Sequence, residues 1–180
     1  MRRPLLTAAI ALVIATQLHA ALPVGTRAPA INTRAALAGE EFQFSLEDAL
    51  KKGPVVLYFF VSAFTPVCTT EAHEFAEATD EFQELGATVV GVSRDDIDTL
   101  KRFSASEGRN RFAMASDTDG RIIKAYDAVQ ESHPRYASRI SYVIAPTGEI
   151  IYSYRAMNPV GHVSNTMAAL RKWKLEHSSN

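Results

Sequence analysis

The chain of 180 residues contains a single cysteine, Cys68. A lone cysteine excludes an intramolecular disulfide framework, a zinc site built from several thiolates and a Cys-x-x-Cys redox pair. No pair of histidines has a metal-binding spacing either, so we expect neither a metal nor a cofactor. Any sulfur chemistry in this protein must use one sulfur at a time.

Neither sign of charge predominates. The sequence has 19 Lys and Arg against 20 Asp and Glu, a formal net charge of −1, which argues against a nucleic-acid partner. Charged residues make up 22% and hydrophobic residues 47% of the chain, which argues against disorder. This length and composition suffice for one globular domain with a substantial core.

The first twenty residues differ in kind from the rest. Arg2 and Arg3 precede an uncharged, mostly apolar run over 5–18, and small residues follow at Ala20 and Ala21. A bilayer span takes about 20 apolar residues, so this run is short for a membrane anchor and typical of a secretory signal peptide. An uncleaved anchor that extends a few residues further is the alternative.

We predict cleavage after Ala20 or Ala21. The predicted organisation is a signal peptide over 1–20 and a single domain over 21–180. Such a chain is periplasmic or secreted and is not inserted in a membrane after cleavage. Secretion leads to an oxidising compartment, where the mature chain could form no internal disulfide.

Several segments have the composition of β-strands. Continuous apolar runs over 55–61 and 87–92 are typical of strands that are buried on both faces of a sheet. Two further strands, 140–145 and 149–154, are joined by a Pro-Thr-Gly turn. A small hairpin or extended arm is expected within 28–44.

Helical patterns alternate with these strands and are predicted over four segments: 45–50, 66–85, 95–108 and about 162–176. Alternating strands and helices predict an α/β domain, in which a mixed central β-sheet carries helices on both faces. The thioredoxin-like arrangement is one member of that class, and periodicity alone does not select it.

Cys68 follows a buried strand and lies at the start of a long helix. Thr65 is a good N-cap residue and Pro66 is favoured at the first helical position, which places Cys68 at the third. Free backbone N–H groups and the positive end of the helix dipole there favour a thiolate over a thiol. An inert, buried packing cysteine is the alternative.

Residues 65–71, TPVCTTE, together with the preceding strand resemble the active-site segment of the peroxiredoxins. The resemblance is closest to the bacterioferritin-comigratory, or PrxQ-type, subfamily. Three later segments, 91–93 (GVS), 116–120 (SDTDG) and 139–144 (RISYVI), occur in the order typical of that family. The resemblance covers nearly all of the chain from Val24 onward and implies a thioredoxin-like fold.

The resemblance implies a role for several residues. Cys68 matches the peroxidatic cysteine, Thr65 the hydroxyl that orients the peroxide, and Arg139 the guanidinium that stabilises thiolate and substrate. Glu71 and Pro66 match supporting positions. The implied activity is reduction of hydrogen peroxide and organic hydroperoxides, with Cys68 sulfenic acid as the first product.

Two positions depart from the family pattern. Val61 stands where the family has a proline that shelters the pocket, and His73 stands where many members of the subfamily carry a second, resolving cysteine. The resemblance therefore implies a one-cysteine mechanism that is completed by an external thiol, either a thioredoxin-like or glutaredoxin-like protein or a small thiol. We expect a monomer or a weak homodimer.

Two other functions remain open on the sequence. One is a peroxide-sensing or binding module without turnover, and the other is monothiol disulfide exchange. His73, His133 and His162 are expected at the surface, and the segment 117–120 is expected to be a turn rather than a calcium loop. Tyr58 and Phe60 could line an approach to the thiol or belong to the core.

Overall fold

The computed structural model describes residues 21–177, so the predicted signal peptide lies outside the described residues. Seven strands form one sheet in the order β2-β1-β5-β4-β3-β6-β7. The strands are β1 Asn32–Leu37, β2 Glu40–Ser45, β3 Val55–Phe59, β4 Thr88–Ser93, β5 Ala113–Ser116, β6 Ile140–Ile144 and β7 Ile150–Arg155. In the described part of the chain, no helix has both the length and the apolar character that crossing a bilayer requires.

Five helices connect or follow the strands in the described range. They are α1 Leu46–Leu50, α2 Pro66–Glu84, α3 Ile97–Ser106, α4 Arg121–Ala125 and α5 His162–His177. The predicted helices and strands are all present within a few residues of their expected ends. The sequence pattern missed β5 and α4, whose sequences AMAS and RIIKA show neither a long apolar run nor a helical period.

The central strands of the sheet run parallel and the outer ones antiparallel. β3 pairs in parallel with β4, and β4 with β5. β6 pairs antiparallel with β3, and β1 antiparallel with β5. This mixed sheet, with helices on both faces, confirms the predicted thioredoxin-like α/β class.

Strand β3 divides the core into two layers because successive side chains point to opposite faces. Leu57 and Phe59 belong to one buried cluster, whereas Tyr58 and Phe60 belong to the other. Cys68 lies in the second cluster, between the sheet and α2. Both faces of β3 are fully buried, as its unbroken apolar sequence predicts.

The long helix α2 ends at Glu84, one residue before its predicted end, and Gly86 follows the C-cap residue Leu85. This glycine has a φ of +78°, a left-handed conformation that only glycine adopts without strain. Its N–H donates to the carbonyl of Gln83, and the N–H of Ala87 donates to that of Phe82. These two bonds form a Schellman motif, which satisfies the last carbonyls of the helix.

Candidate active site

Cys68 lies in the first turn of α2, just beyond the carboxyl end of β3. Pro66 is the first helical residue, and Thr65 precedes it in an extended conformation. Cys68 therefore occupies the third position, where backbone N–H groups have no acceptor within the helix. Its side chain is 2% exposed.

The Thr65 side chain does not cap the helix as predicted. Its hydroxyl donates to the carbonyl oxygen of Ser62 at 2.9 Å and makes no hydrogen bond to an amide of α2. The hydroxyl therefore faces back into the loop. Since the donor proton of Thr65 is already bound, the oxygen lone pairs remain able to accept a hydrogen bond.

Asp95 anchors the loop that carries Thr65. Its carboxylate accepts hydrogen bonds from the Ser62 hydroxyl at 2.9 Å and from the Ala63 N–H at 2.8 Å. It also accepts from the Ser93 hydroxyl at 2.7 Å. The helix predicted over 95–108 begins only at Ile97, so Asp95 precedes it and its carboxylate holds the adjacent loop.

Arg139 reaches Cys68 from the start of β6. Its Nη2 lies 3.4 Å from the Cys68 Sγ, and its Nε donates to the carbonyl oxygen of Met157 at 3.1 Å. Its Nη1 contacts the Glu71 carboxylate. Arg139 is only 2% exposed, and these three partners fix its planar guanidinium in one orientation.

Glu71 lies one turn after Cys68 on α2 and is fully buried. One carboxylate oxygen contacts Arg139, while Oε1 has no hydrogen-bond partner among the described residues. Burial raises the pKa of the Glu71 carboxyl to about 8, although the charge and hydrogen bond of Arg139 act in the opposite direction. The ordinary pKa of this group is about 4.3, so its burial favours the protonated form.

His162 is buried, which corrects the prediction that it lies at the surface. Its Nδ1 is 2.7 Å from the Ser141 hydroxyl, and its Nε2 is 3.0 Å from the carbonyl oxygen of Ala156. Its Nδ1 is also 3.9 Å from Glu71 Oε1. The pKa of His162 is lowered to about 4, mainly by burial. The hydrogen bond to the Ala156 carbonyl opposes this shift, and the charge of Arg139 contributes to it. The imidazole is therefore neutral near pH 7.

The sheet-facing wall around Cys68 is aromatic. Tyr58 stacks on Phe75 with 4.2 Å between ring centroids, and Phe60 packs beside Tyr58. Tyr58 and Phe60 are 1% exposed, so they belong to the core and do not line an open approach. The Tyr58 hydroxyl has no partner within 21–177, and burial raises its pKa well above the usual value.

Other residues singled out by the sequence lie away from Cys68. His73 is half-buried, and its Nε2 lies 2.7 Å from the Glu107 carboxylate at the end of α3. His133 is exposed, as expected. Asp117 accepts hydrogen bonds from the N–H groups of Ile122 and Ile123, so the segment 117–120 forms the predicted turn and caps α4.

The predicted site did not include His162, Ser141 or Asp95. Ser141 follows Arg139 by two residues and therefore points to the same face of β6, which is a signal that could have been used. Asp95 comes directly after the end of β4, at the same sheet edge as Cys68. No group of three or more metal-ligating side chains occurs within 21–177.

Comparison with known proteins identifies relatives of most of the chain. The AhpC/TSA family model matches residues 24–153. Peroxiredoxin Bcp of Xanthomonas campestris is 31% identical over 123 residues, which span 65% of this chain and 76% of that protein. The chloroplastic peroxiredoxin Q of Populus jackii is 32% identical over 123 residues, which span 67% of this chain and 57% of the relative.

A solved structure supports the same relationship. The peroxiredoxin Q of Xanthomonas campestris superimposes with a TM-score of 0.69 at 29% sequence identity. The match covers 78% of this chain and 90% of that one. The predicted resemblance to the PrxQ-type subfamily is confirmed.

Proposed function

The chain belongs to the AhpC/TSA family and is a peroxiredoxin, a thiol peroxidase, and we propose that its reaction runs through Cys68 alone and is completed by an external thiol. The observation that carries the proposal is the 3.4 Å contact between Arg139 Nη2 and Cys68 Sγ. It places a permanent positive charge next to the sulfur of Cys68, the only cysteine in the sequence. We propose hydrogen peroxide and organic hydroperoxides as the substrates.

In the first half-reaction, the Cys68 thiolate attacks one oxygen of the peroxide. The O–O bond breaks as the S–O bond forms, and the leaving oxygen departs with the electron pair and takes up a proton. The products are Cys68 sulfenic acid and water or an alcohol. Donors that already point at the leaving oxygen lower the barrier because they need no reorganisation.

Arg139 serves both the thiolate and the developing charge. One guanidinium charge lies between two acidic groups, Cys68 and Glu71. Burial favours the protonated form of Glu71, so the charge of Arg139 remains available to the sulfur. Glu71 and the Met157 carbonyl then act as supports that hold the guanidinium in place.

Thr65 and Pro66 help to define the position where the peroxide binds. The Thr65 hydroxyl donates to Ser62, so it offers its lone pairs to the O–H of a hydroperoxide. Pro66 begins α2 without a backbone N–H, and its fixed φ sets the direction of the first turn. Asp95 holds the loop of Ser62, and through it the hydroxyl of Thr65.

In the second half-reaction, an external thiolate attacks the sulfur of Cys68 sulfenic acid. A mixed disulfide forms and hydroxide leaves, taking up a proton to become water. A second equivalent of thiol then displaces Cys68 as a thiolate and leaves as a disulfide. His73 stands at the position of a resolving cysteine but binds Glu107, and it offers no sulfur for an internal disulfide.

A peroxide sensor without turnover and a monothiol exchange protein are the competing functions. The sensor shares the first half-reaction but has no catalytic second one. Monothiol exchange needs no peroxide. Steady consumption of peroxide in the presence of a thiol separates both from the proposed function.

We also propose that the mature protein is periplasmic or secreted. The support is the sequence alone: a basic start, a short apolar run and small residues at Ala20 and Ala21. N-terminal sequencing of the protein exported from a bacterial host tests this. A start at Ala21 or Leu22 is expected, and retention of Met1 in the membrane fraction would favour the anchor.

The activity is tested by peroxide consumption with purified wild type and Cys68→Ser across a panel of small thiols and thiol proteins. Wild type is expected to turn over with at least one donor, and Cys68→Ser with none. Intact mass after equimolar peroxide should show one added oxygen on Cys68. Oxidation without turnover under any donor would favour the sensor, and absence of the oxygen adduct would refute the peroxidase.

A further inference from the structure

A cavity opens at the same sheet edge as Cys68. Its volume is about 340 Å³, and we name it the Arg94–Arg135 cavity after its two arginines. The other lining residues are Val61, Ser62, Asp95 and Tyr136. A volume of this size is within the usual range, roughly 300 to 1,000 Å³, of sites for small molecules.

The two arginines of this cavity are not neutralised by carboxylates. Neither Arg94 nor Arg135 forms a salt bridge within 21–177, whereas six other arginines there do. Arg94 donates only to the carbonyl oxygens of Thr118 at 2.7 Å and Arg135 at 3.3 Å. Its Nε is buried without an acceptor in the described part of the chain.

Asp95, the carboxylate in the cavity wall, does not form an ion pair with either arginine in the described part of the chain. Asp95 accepts its hydrogen bonds from Ser62, Ala63 and Ser93. Two guanidinium groups against one carboxylate give the cavity a net positive charge. Arginine suits the recognition of carboxylates because its donors match their planar shape.

The cavity lies beside two segments of the proposed catalytic site, the loop that carries Thr65 and the loop that leads into Arg139. Ser62 accepts the hydrogen bond of Thr65, and Cys68 lies one helical turn beyond Thr65, about 5 Å along the axis. The cavity wall is therefore within about 10 Å of the sulfur. On the other side, Arg135 and Tyr136 belong to the loop that leads into Arg139.

We propose that the Arg94–Arg135 cavity binds the carboxylate of a small, anionic thiol that reduces Cys68 sulfenic acid. This inference rests on the proposed function, which requires a thiol from outside the chain. With its carboxylate on the arginines, a thiol of peptide length can extend past the cavity wall at Ser62, which lies about 10 Å from the sulfur of Cys68. Its thiolate forms the mixed disulfide with Cys68 and hydroxide leaves, and a second molecule of the same thiol then releases the disulfide.

The position of the cavity favours the reductant over the peroxide as the anionic ligand. The hydroperoxide must place its O–O bond against Cys68, Thr65 and Arg139, and a small peroxide leaves the cavity empty. A small thiol is favoured over a protein because Cys68 is 2% exposed and the flanking cavity is of small-molecule size.

The test compares thiols that differ in charge. Glutathione carries two carboxylates, its diethyl ester carries none, and cysteamine is a cation. Rates of reduction of preformed Cys68 sulfenic acid are measured by stopped flow for wild type, Arg135→Gln and the double variant Arg94→Gln/Arg135→Gln. Arg102→Gln is the matched control, because Arg102 is an exposed arginine on α3 outside the cavity.

Wild type is expected to react at least tenfold faster with glutathione than with its ester after correction for thiolate concentration. Both cavity variants should lose most of this preference, while Arg102→Gln keeps it. Arg135 is exposed, so its substitution tests the idea even if the double variant folds poorly. Raised salt should weaken the preference in wild type.

Three results would overturn the inference. These are equal rates with glutathione and its ester in wild type, an unchanged preference in the variants, or reduction by a thioredoxin-like protein only. A preference for carboxylated hydroperoxides in the oxidation step would assign the cavity to the other substrate and refute the proposal. Failure of the proposed function is distinguishable, because then no sulfenic acid forms on Cys68 with any peroxide.

Discussion

The Nη2 atom of Arg139 lies 3.4 Å from the Sγ atom of Cys68, although 71 positions separate the two residues in the sequence. β3 and β6 are paired neighbours, and this pairing brings the start of β6 to the edge where α2 begins. The contact is almost completely shielded from water, since both side chains are 2% exposed. In such surroundings a charge acts more strongly than it does at the surface.

Replacement of Arg139 tests this contact. Arg139→Lys keeps a positive charge, but one ammonium group cannot reach Cys68, Glu71 and the Met157 carbonyl together. We expect the rate constant of Cys68 oxidation by hydrogen peroxide to fall by about 100-fold or more. Stopped-flow kinetics measures it, with Arg102→Lys as control and circular dichroism to verify folding. A change of less than threefold would contradict the role of the guanidinium.

Two substitutions separate the effect of the Thr65 hydroxyl from that of the shape of its side chain. Thr65→Val removes the hydrogen bond to Ser62 and the acceptor for the peroxide, whereas Thr65→Ser keeps both. Loss of one such hydrogen bond, worth about 1.5 kcal/mol, predicts a roughly tenfold slower oxidation of Cys68 in the valine variant. The serine variant should stay near the wild-type rate. Equal rates for all three proteins would show that the hydroxyl is not used.

The buried imidazole of His162 should make stability depend on pH. Burial lowers its pKa to about 4, against about 6.5 in the unfolded chain. Between these values the unfolded chain binds more protons than the folded protein does. The contribution of neutral His162 to the free energy of unfolding is therefore complete above about pH 6.5 and is lost as the pH falls toward 4. The loss amounts to at most about 3 kcal/mol of the free energy of unfolding.

Urea denaturation of wild type and His162→Gln between pH 4 and 7.5 measures this effect. The difference in unfolding free energy between the two proteins should shrink toward acid. His133→Gln is the matched control, because it makes the same substitution at an exposed position outside the core. A difference that stays constant with pH would mean that His162 does not titrate as its burial implies.

Tyr58 is expected to be a site where a smaller side chain stabilises the fold. Its buried hydroxyl has no partner among the described residues and lies over Gly91, where an added Cβ would come within 2.9 Å of it. Tyr58→Phe removes an unsatisfied polar group, so the unfolding free energy should rise by about 1 kcal/mol. Thermal denaturation and urea denaturation measure the change.

Tyr142→Phe provides the contrast to that substitution. The Tyr142 hydroxyl donates to the carbonyl oxygen of Tyr126 at 2.7 Å and accepts from the Leu22 N–H at 3.0 Å. Removing a satisfied hydroxyl should lower the unfolding free energy by about 1 kcal/mol. If both variants lose stability alike, the Tyr58 hydroxyl must have a partner in solution.

Much of the architecture follows from local pattern. The unbroken apolar run that contains Tyr58 and Phe60 predicts a central strand, and Thr65-Pro66 predicts the start of α2. β5 and α4 were missed because their sequences show neither a long apolar run nor a helical period. The prediction that the Thr65 side chain caps α2 was wrong, because its hydroxyl can form a hydrogen bond either with the helix or with the Ser62 carbonyl, and it forms the second.

The sequence by itself determined the fold class, the position of Cys68 at the third residue of a helix and the lack of a second cysteine that could resolve it. These depend on neighbours in the chain and on a count of one cysteine. Only the tertiary structure decided that His162 is buried near Glu71, that Asp95 anchors the Thr65 loop and that Arg94 and Arg135 share a cavity. Burial and charge pairing depend on which distant segments pack together, and no local pattern encodes that.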